Sequence, residues 1–421
     1  MPASLGPNRM RRSKLGCDLP VSSTPSAASP PIAASLLQPV STGLLAALVG
    51  FASTFAIILQ GLRAVGATPA EAASGLFIIC MVQGALAIAY GLVWRQPISI
   101  VWSTPGAALL IATGAVAGGF PAAVGAFLVA VALIVVAGLW APFGRLVSSI
   151  PVGLASAMLA GILFEICIAP VHAVADRPAL ALPIVIAWAL ALRFARTYAI
   201  PIALLVTVVI VVLVTKVPPG ALGNVWPHPV LVRPEWSPSV IGTLAVPLFI
   251  VTMASQNVPG LAVLRSNGFS PPIGPLFIGT GLGGAVSALF GGPPVNLAAI
   301  TAALCAGPDA HPDPARRYLA TVVAGVAYLA LGLFAGVTTA FIEVSPKELI
   351  AAVAGLALIG SLAGALATAL VDSEQRVAVG VTFLVTASGT SFGGIGAPFW
   401  GLVAGGVLLA LNAVGQRRAS S

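Results

Sequence analysis

The sequence predicts an all-α polytopic membrane protein of about fourteen transmembrane segments arranged as a seven-plus-seven inverted repeat, and three observations carry that prediction. Hydrophobic residues make up 58% of the chain and charged residues 7%, against roughly 25% charged in an ordinary soluble domain, too little to coat a water-soluble surface. Apolar runs of about 15 to 25 residues recur from Val40 to Ala413, with charges almost confined to the gaps. Such runs are long enough to cross a roughly 30 Å hydrocarbon core as helices. Thirdly, short motifs return at an offset of 202 to 203 residues. An outer-membrane barrel is disfavoured, because the runs do not alternate apolar and polar residues in segments of about ten.

Residues 1–35 are rich in Ser, Pro and Ala, carry Arg9, Arg11, Arg12 and Lys14, and lack an apolar core. They read as a disordered cytoplasmic tail. A cleaved signal peptide would set its apolar stretch close behind the basic one, whereas the first run starts near Val40. Breaking the chain at charged, Pro-rich or Gly-rich punctuation gives spans 40–60, 71–94, 98–113, 120–140, 147–170, 179–195 and 199–216, a first repeat over 36–216. A polar extracytoplasmic connector occupies 217–238. Spans 239–259, 271–288, 292–306, 319–340, 347–370, 376–390 and 395–413 form the second repeat over 239–413, and 414–421 is a cytoplasmic tail.

With the N-terminus inside, 14 of the 19 basic residues fall in cytoplasmic segments, and only Arg63, Arg177, Lys216, Arg233 and Lys347 fall outside. This obeys the positive-inside rule and places both termini in the cytoplasm of a bacterial inner-membrane protein. The net charge of +8 therefore marks loops, and no nucleic-acid partner is called for.

Arg63-Ala-Val-Gly66-Ala-Thr68-Pro69 matches Arg265-Ser-Asn-Gly268-Phe-Ser270-Pro271 at an offset of 202, and Leu159-Ala-Gly-Ile-Leu163 matches Leu362-Ala-Gly-Ala-Leu366 at 203. About seven spans separate the copies. An odd number reverses sidedness, so the halves are inverted, as in many carriers.

Two segments at corresponding places make poor continuous helices: Pro97-Ile-Ser-Ile-Val-Trp-Ser-Thr-Pro-Gly106 and Leu289-Phe-Gly-Gly-Pro-Pro-Val-Asn296. Pro lacks an N–H and clashes with the preceding turn, so each enters as extended chain and turns helical only after its Pro. Non-helical backbone at membrane depth is tolerated where protein or a water-filled cavity satisfies it. A half-helix N-terminus suits an anion. Ser103, Thr104, Gly106, Pro294, Val295 and Asn296 are placed at this site; the bland alternative is a pair of kinked but ordinary helices. Ser255-Gln256-Asn257 adds three polar residues to an otherwise apolar span, either facing the bundle interior as substrate ligands or capping a helix end in water. Glu165 is the one acidic residue well inside a predicted span, a candidate for proton coupling. Its bland reading is a carboxylate that reaches water or pairs with Arg177.

Other signals are set aside. Gly279-Thr-Gly281-Leu-Gly-Gly284 fits GxGxxG but lies in an apolar span, where close helix packing explains it. Asp309-Ala-His311-Pro-Asp313 reads as a hydrated turn. Cys17, Cys80, Cys167 and Cys305 are far apart without CxxC. No catalytic group, metal or cofactor is expected.

Ala254-Ser-Gln-Asn-Val-Pro-Gly-Leu-Ala-Val-Leu-Arg-Ser-Asn-Gly-Phe269 resembles the signature of the BenE family of benzoate:proton symporters, and Gly-Gly-Pro-Pro-Val-Asn296 resembles its broken-helix segment. The likeness extends over most of 36–413. That family is similar to the nucleobase-ascorbate and sulfate carriers, which implies a core domain from segments 1–4 and 8–11 and a gate domain from 5–7 and 12–14. Nucleobase carriers typically place carboxylates near the site, where this chain has Gln256 and Asn296, and a site without negative charge favours an anion. The resemblance implies import of benzoate or a similar aromatic carboxylate with a proton. Its carboxylate would meet Ser103, Thr104 and Asn296, with Gln256 and Asn257 orienting it and Trp102 or Phe290 against the ring. A nucleobase or other organic-anion carrier is the alternative, with an anion channel behind it. The expected partners are the small anion, protons and the bilayer, with homodimerisation left open.

Overall fold

The computed structural model describes residues 32–140, 142, 151–215, 226–298, 300–390, 392 and 397–419. Its first half contains α1 (Ile32–Ala64), α2 (Pro69–Trp94), β1 (Ile100–Trp102), α3 (Thr104–Thr113), α4 (Gly119–Leu139), α5 (Val152–Asp176), α6 (Pro178–Phe194) and α7 (Ala199–Val214). The second half contains α8 (Pro238–Ser266), α9 (Ile273–Leu289), β2 (Val295–Leu297), α10 (Ile300–Ala306), α11 (Tyr318–Gly332), α12 (Ala335–Val344), α13 (Lys347–Ala369), α14 (Arg376–Ala387) and α15 (Ala397–Ala419). Among the described residues, seven helices are each long and apolar enough to cross a membrane, or eight with the bent pair α11–α12 taken as one. The fold is mostly helical, and every apolar segment read from the sequence coincides with a helix or a strand–helix unit.

The repeated R-x-x-G-x-[ST]-P motif is a helix–turn–helix junction. Arg63 and Arg265 lie in the last turns of α1 and α8, favourable for a cation at a helix C-terminus. Gly66 and Gly268 follow at φ +106° and +83°, values a side chain would disfavour. Thr68 then caps α2: its Oγ1 accepts from the Glu71 N–H while the Glu71 carboxylate accepts from the Thr68 N–H, a reciprocal capping box with Pro69 at the first helical position.

Packing pairs the halves crosswise. α2 lies on α11, and α9, which corresponds to α2, lies on α4; α6 lies on α7 as α14 lies on α15. Glycines set the closest approaches. A Cβ on Gly84 would sit 2.7 Å from the Gly325 carbonyl, and one on Gly325 would meet the Gly84 carbonyl at the same distance. On α9, Gly281 and Gly284 face Val131 of α4 while Gly283 faces Val82 and Leu86 of α2, so the GxGxxG run is a packing surface. The largest apolar cluster joins α1–α4 with α8 and α9 and extends to α5, α11 and α13. Of three smaller ones, one lies among α5, α6, α7 and α13 and another among α5, α13 and α14, so α5 and α13 take part in both of these as well as in the largest, while the third joins Ala46 to Cys305, Ala310 and Ala320.

Several boundaries differ from the sequence reading. α1 begins at Ile32, inside the stretch read as tail, residues 1–31 of which lie outside the described residues. The span 319–340 divides into α11 and α12 at a 56° bend, next to Gly332, whose bare Cα rests on Cys80 and Met81. α15 continues to Ala419 through most of the expected tail. The connector is described from Trp226, and its chain is pinned: Ser74 Oγ accepts from the Val230 N–H (2.8 Å), Leu289 O from Val232 (2.8 Å) and Pro121 O from Glu235 (3.0 Å).

Candidate functional site

The two interrupted segments meet. β1 and β2 pair antiparallel, with Ile100 opposite Leu297, Val101 opposite Asn296 and Trp102 opposite Val295. The Ala298 N–H donates to Ser99 O (2.9 Å), and the hydroxyls of Ser99 and Thr301 are 2.8 Å apart. The strands therefore satisfy each other's backbone where no helix can, and each leads directly into a half-helix, α3 or α10.

Side chains lock this crossing. Asn296 is fully buried; with its amide turned so that both groups find partners, its Oδ1 accepts from the Ser103 N–H (2.9 Å) and its Nδ2 donates to Leu297 O (2.7 Å). Asn257 of α8, also fully buried, accepts from the Leu297 N–H (3.0 Å) through Oδ1. Ser103 caps α3, its Oγ accepting from the Gly106 N–H (2.9 Å). In the first turn of α3, Pro105 has no N–H, Gly106 gives its own to Ser103 Oγ, and Ala107 gives its own to Ser103 O. The remaining donor of that turn belongs to Thr104.

Thr104 lines a cavity of about 110 Å³ together with Gln256, Thr54, Thr301, Trp102 and Tyr328, completed by Val49, Gly50, Ser53, Val101, Ala298 and Leu304. Cavities near 150 Å³ accept a benzene ring, so the space is somewhat smaller than one ring needs and must widen to hold one. Trp102 donates its indole N–H to Thr54 Oγ1 (2.8 Å), with its ring 5.9 Å from Phe51 and 6.1 Å from Tyr328. No acidic or basic side chain lines the cavity among the described residues. The arrangement offers hydroxyls, one amide, one helical N–H without a partner among the described residues, and aromatic faces: donors for an anion and walls for a ring.

The nine expected substrate residues thus divide. Thr104 and Gln256 line the cavity; Ser103, Asn257 and Asn296 form the brace beneath it. Gly106 admits Leu248, to which a Cβ there would come within 2.8 Å. Ser255 donates to Val251 O of its own helix, while Pro294 and Val295 are buried in the approach to β2. Trp102 is in the wall. Phe290 instead ends α9, its carbonyl accepting from Ser74. Thr54, Thr301 and Tyr328 escaped the sequence reading; the Ser53-Thr54 pair in an apolar span was the available signal.

The Ser255-Gln256-Asn257 cluster does not end a helix. It occupies a π turn, Met253–Asn257, and α8 continues to Ser266. The wider turn accommodates Pro259, which has no N–H to return, and such turns aim side chains inward at functional positions.

Glu165 is exposed on α5 and borders two cavities. One, about 320 Å³, lies between α3 and α8 on one side and α5, α14 and α15 on the other, with Thr113, Ser239, Thr243 and Thr386 in its lining. The other, about 400 Å³, includes His172, Asp176 and Glu348. Arg177 pairs with Glu348 at 3.8 Å and not with Glu165, since both sit at the adjoining ends of α5 and α13. The Asp309–Asp313 turn is also drier than expected: His311 and Arg317 are buried, and Arg317 donates to His311 O and Ala306 O (2.8 Å each). No group of three or more potential metal-ligating side chains occurs among the described residues.

Comparison with known proteins places the chain in a family and its fold beside solved structures. The family model described as benzoate membrane transport protein (BenE) matches residues 33–411. The chain is 40% identical over 376 residues to the inner membrane protein YdcO of Escherichia coli K12, covering 89% of this chain and 96% of that one. It is 32% identical over 368 residues to a benzoate membrane transport protein of Acinetobacter baylyi, covering 86% and 92%. Among solved structures it is similar to the transmembrane domain of a cyanobacterium bicarbonate transporter, BicA, with TM-score 0.54, 15% identity and coverage of 88% and 98%. It is also similar to the murine anion transporter Slc26a9 in an inward-facing state, with TM-score 0.54, 14% identity and coverage of 94% and 74%.

Proposed function

Given that the chain belongs to the BenE family of benzoate membrane transport proteins, we propose that it imports benzoate or a similar aromatic carboxylate together with a proton, as a multi-pass inner-membrane protein with both termini in the cytoplasm. The observation that carries the reading is the small cavity at the head of α3, which joins donors to aromatic walls and holds no carboxylate among the described residues. The substrate carboxylate takes the Thr104 N–H, the Thr104 hydroxyl and the Gln256 amide, and its ring lies against Trp102 and Tyr328. Segments 1–4 and 8–11 act as the core and segments 5–7 and 12–14 as the gate, and their relative motion alternates access. Glu165, at the border between these groups, carries the proton. The anion-transporter names of the structural neighbours are in keeping with an anionic cargo.

The test is uptake of radiolabelled benzoate into proteoliposomes. Saturable uptake, faster with the outside acidic than without a pH gradient, supports the reading. Uptake that is non-saturable or indifferent to the gradient rejects it.

A further inference from the structure

We propose that the cavity between the outer end of α1 and the α12–α13 corner is a collecting station for the organic anion, occupied before the Thr104–Gln256 cavity. The inference rests on the cargo and orientation proposed above.

This cavity, about 750 Å³, is bordered by Gln60, Arg63, Ile111, Glu343, Lys347 and Ile350. Arg63 and Lys347 outnumber Glu343, so the lining carries one net positive charge. Elsewhere on the same side Glu71, Glu165, Asp176, Glu235 and Glu348 outnumber Arg177 and Arg233 among the described residues. A concave site of one sign concentrates ligands of the other. Arg63 places Nε 3.2 Å from the Glu343 carboxylate and donates through a second nitrogen to Ala67 O. A guanidinium has five N–H groups, which leaves donors for a guest. Gln60 adds an amide side chain to the lining. Ile111 and Ile350 supply an apolar wall. Cationic groups and an isoleucine wall together suit a carboxylate on a flat apolar body.

The position links it to the inner site. α1 contributes Thr54 to the inner cavity and Gln60 to the outer one; α3 contributes Thr104 and Ile111 in the same way. Six or seven residues of helix separate the members of each pair, about 10 Å at 1.5 Å per residue. The two cavities are consecutive along one helix pair, and an anion leaving the first meets the second.

The test compares initial rates of benzoate uptake in phosphatidylcholine proteoliposomes, from the side carrying Arg63. Lys347→Glu raises KM by up to about fivefold, the size of a charge change at an exposed site. Glu343→Gln, which removes the competing carboxylate, lowers KM. Both variants keep the Vmax of uptake. Unchanged KM in both variants overturns the proposal, as does loss of Vmax in both at constant KM, the mark of a structural role. A KM shift seen only when phosphatidylglycerol is added overturns it too, because the occupant is then an anionic lipid headgroup. Absence of uptake by the unaltered protein refutes the transport reading itself, a result distinct from all of these.

Discussion

At the scale of the residue, adjacent polar positions carry different tasks. Gln256 faces the cavity, whereas Asn257 is buried and accepts the Leu297 N–H. Replacing Gln256 by Leu removes a donor but strands no buried partner, so it should raise the KM for benzoate while leaving thermal stability in detergent near that of the parent. Replacing Asn257 by Leu leaves a buried N–H unpaired, which costs about 1–3 kcal/mol. A fall in the thermal midpoint, measured on purified protein, checks that expectation, and an unchanged midpoint contradicts it. Glu165 is a further residue-level case. Glu165→Gln cannot take up or release the proton, so uptake should lose its response to a pH gradient while exchange of labelled for unlabelled benzoate persists. Equal gradient responses in variant and parent would remove Glu165 from the coupling scheme.

At the scale of the element, the helices are defined by what they exclude. α2 and α11 approach so closely that Gly84 and Gly325 each sit against the other's carbonyl. Gly84→Ala forces the two backbones apart and should lower thermal stability. Gly360→Ala, on α13 with open space around it, should be neutral or stabilising by up to about 1 kcal/mol through helix propensity alone. Thermal melts of the two variants side by side decide this, and equal destabilisation would mean that close packing does not distinguish the sites. The broken segments follow the same logic in reverse. The chain is not helical at Pro97–Ser103 and Gly291–Pro294, where proline or glycine disfavours helix, and β1 and β2 satisfy in each other the backbone groups that a helix would have satisfied internally.

At the scale of the whole molecule, the cavity containing Thr113 and Ser239 lies between α3 and α8 on one side and α5, α14 and α15 on the other, the two bodies proposed above as core and gate. If these bodies move against each other during transport, accessibility there must change with substrate. A Thr113→Cys variant, treated with a membrane-impermeant thiol reagent from the side carrying Arg63, should be modified at a rate that benzoate alters severalfold. The native Cys80 and Cys305 are buried, and the unsubstituted protein supplies the background. An identical rate with and without benzoate would contradict alternating access at this cleft.

Much of this architecture was legible without coordinates, because a bilayer imposes a strict length and polarity code on a chain. The scarcity of charge, the spacing of apolar runs and the prolines within two of them were enough to locate helices and breaks. The motif offset of 202 residues likewise announced a matched pair of turns, each with its glycine at positive φ. Tertiary structure alone decided which polar residues share a cavity. Thr54, Thr104, Gln256, Thr301 and Tyr328 come from α1, α3, α8, α10 and α11, and no local pattern records that these helices converge. It also decided that Asn296 and Asn257 brace the crossing, and that Glu348 and not Glu165 takes Arg177. Hydrogen-bond partners are set by distances of about 3 Å between segments far apart in the chain, a quantity that composition and periodicity do not contain.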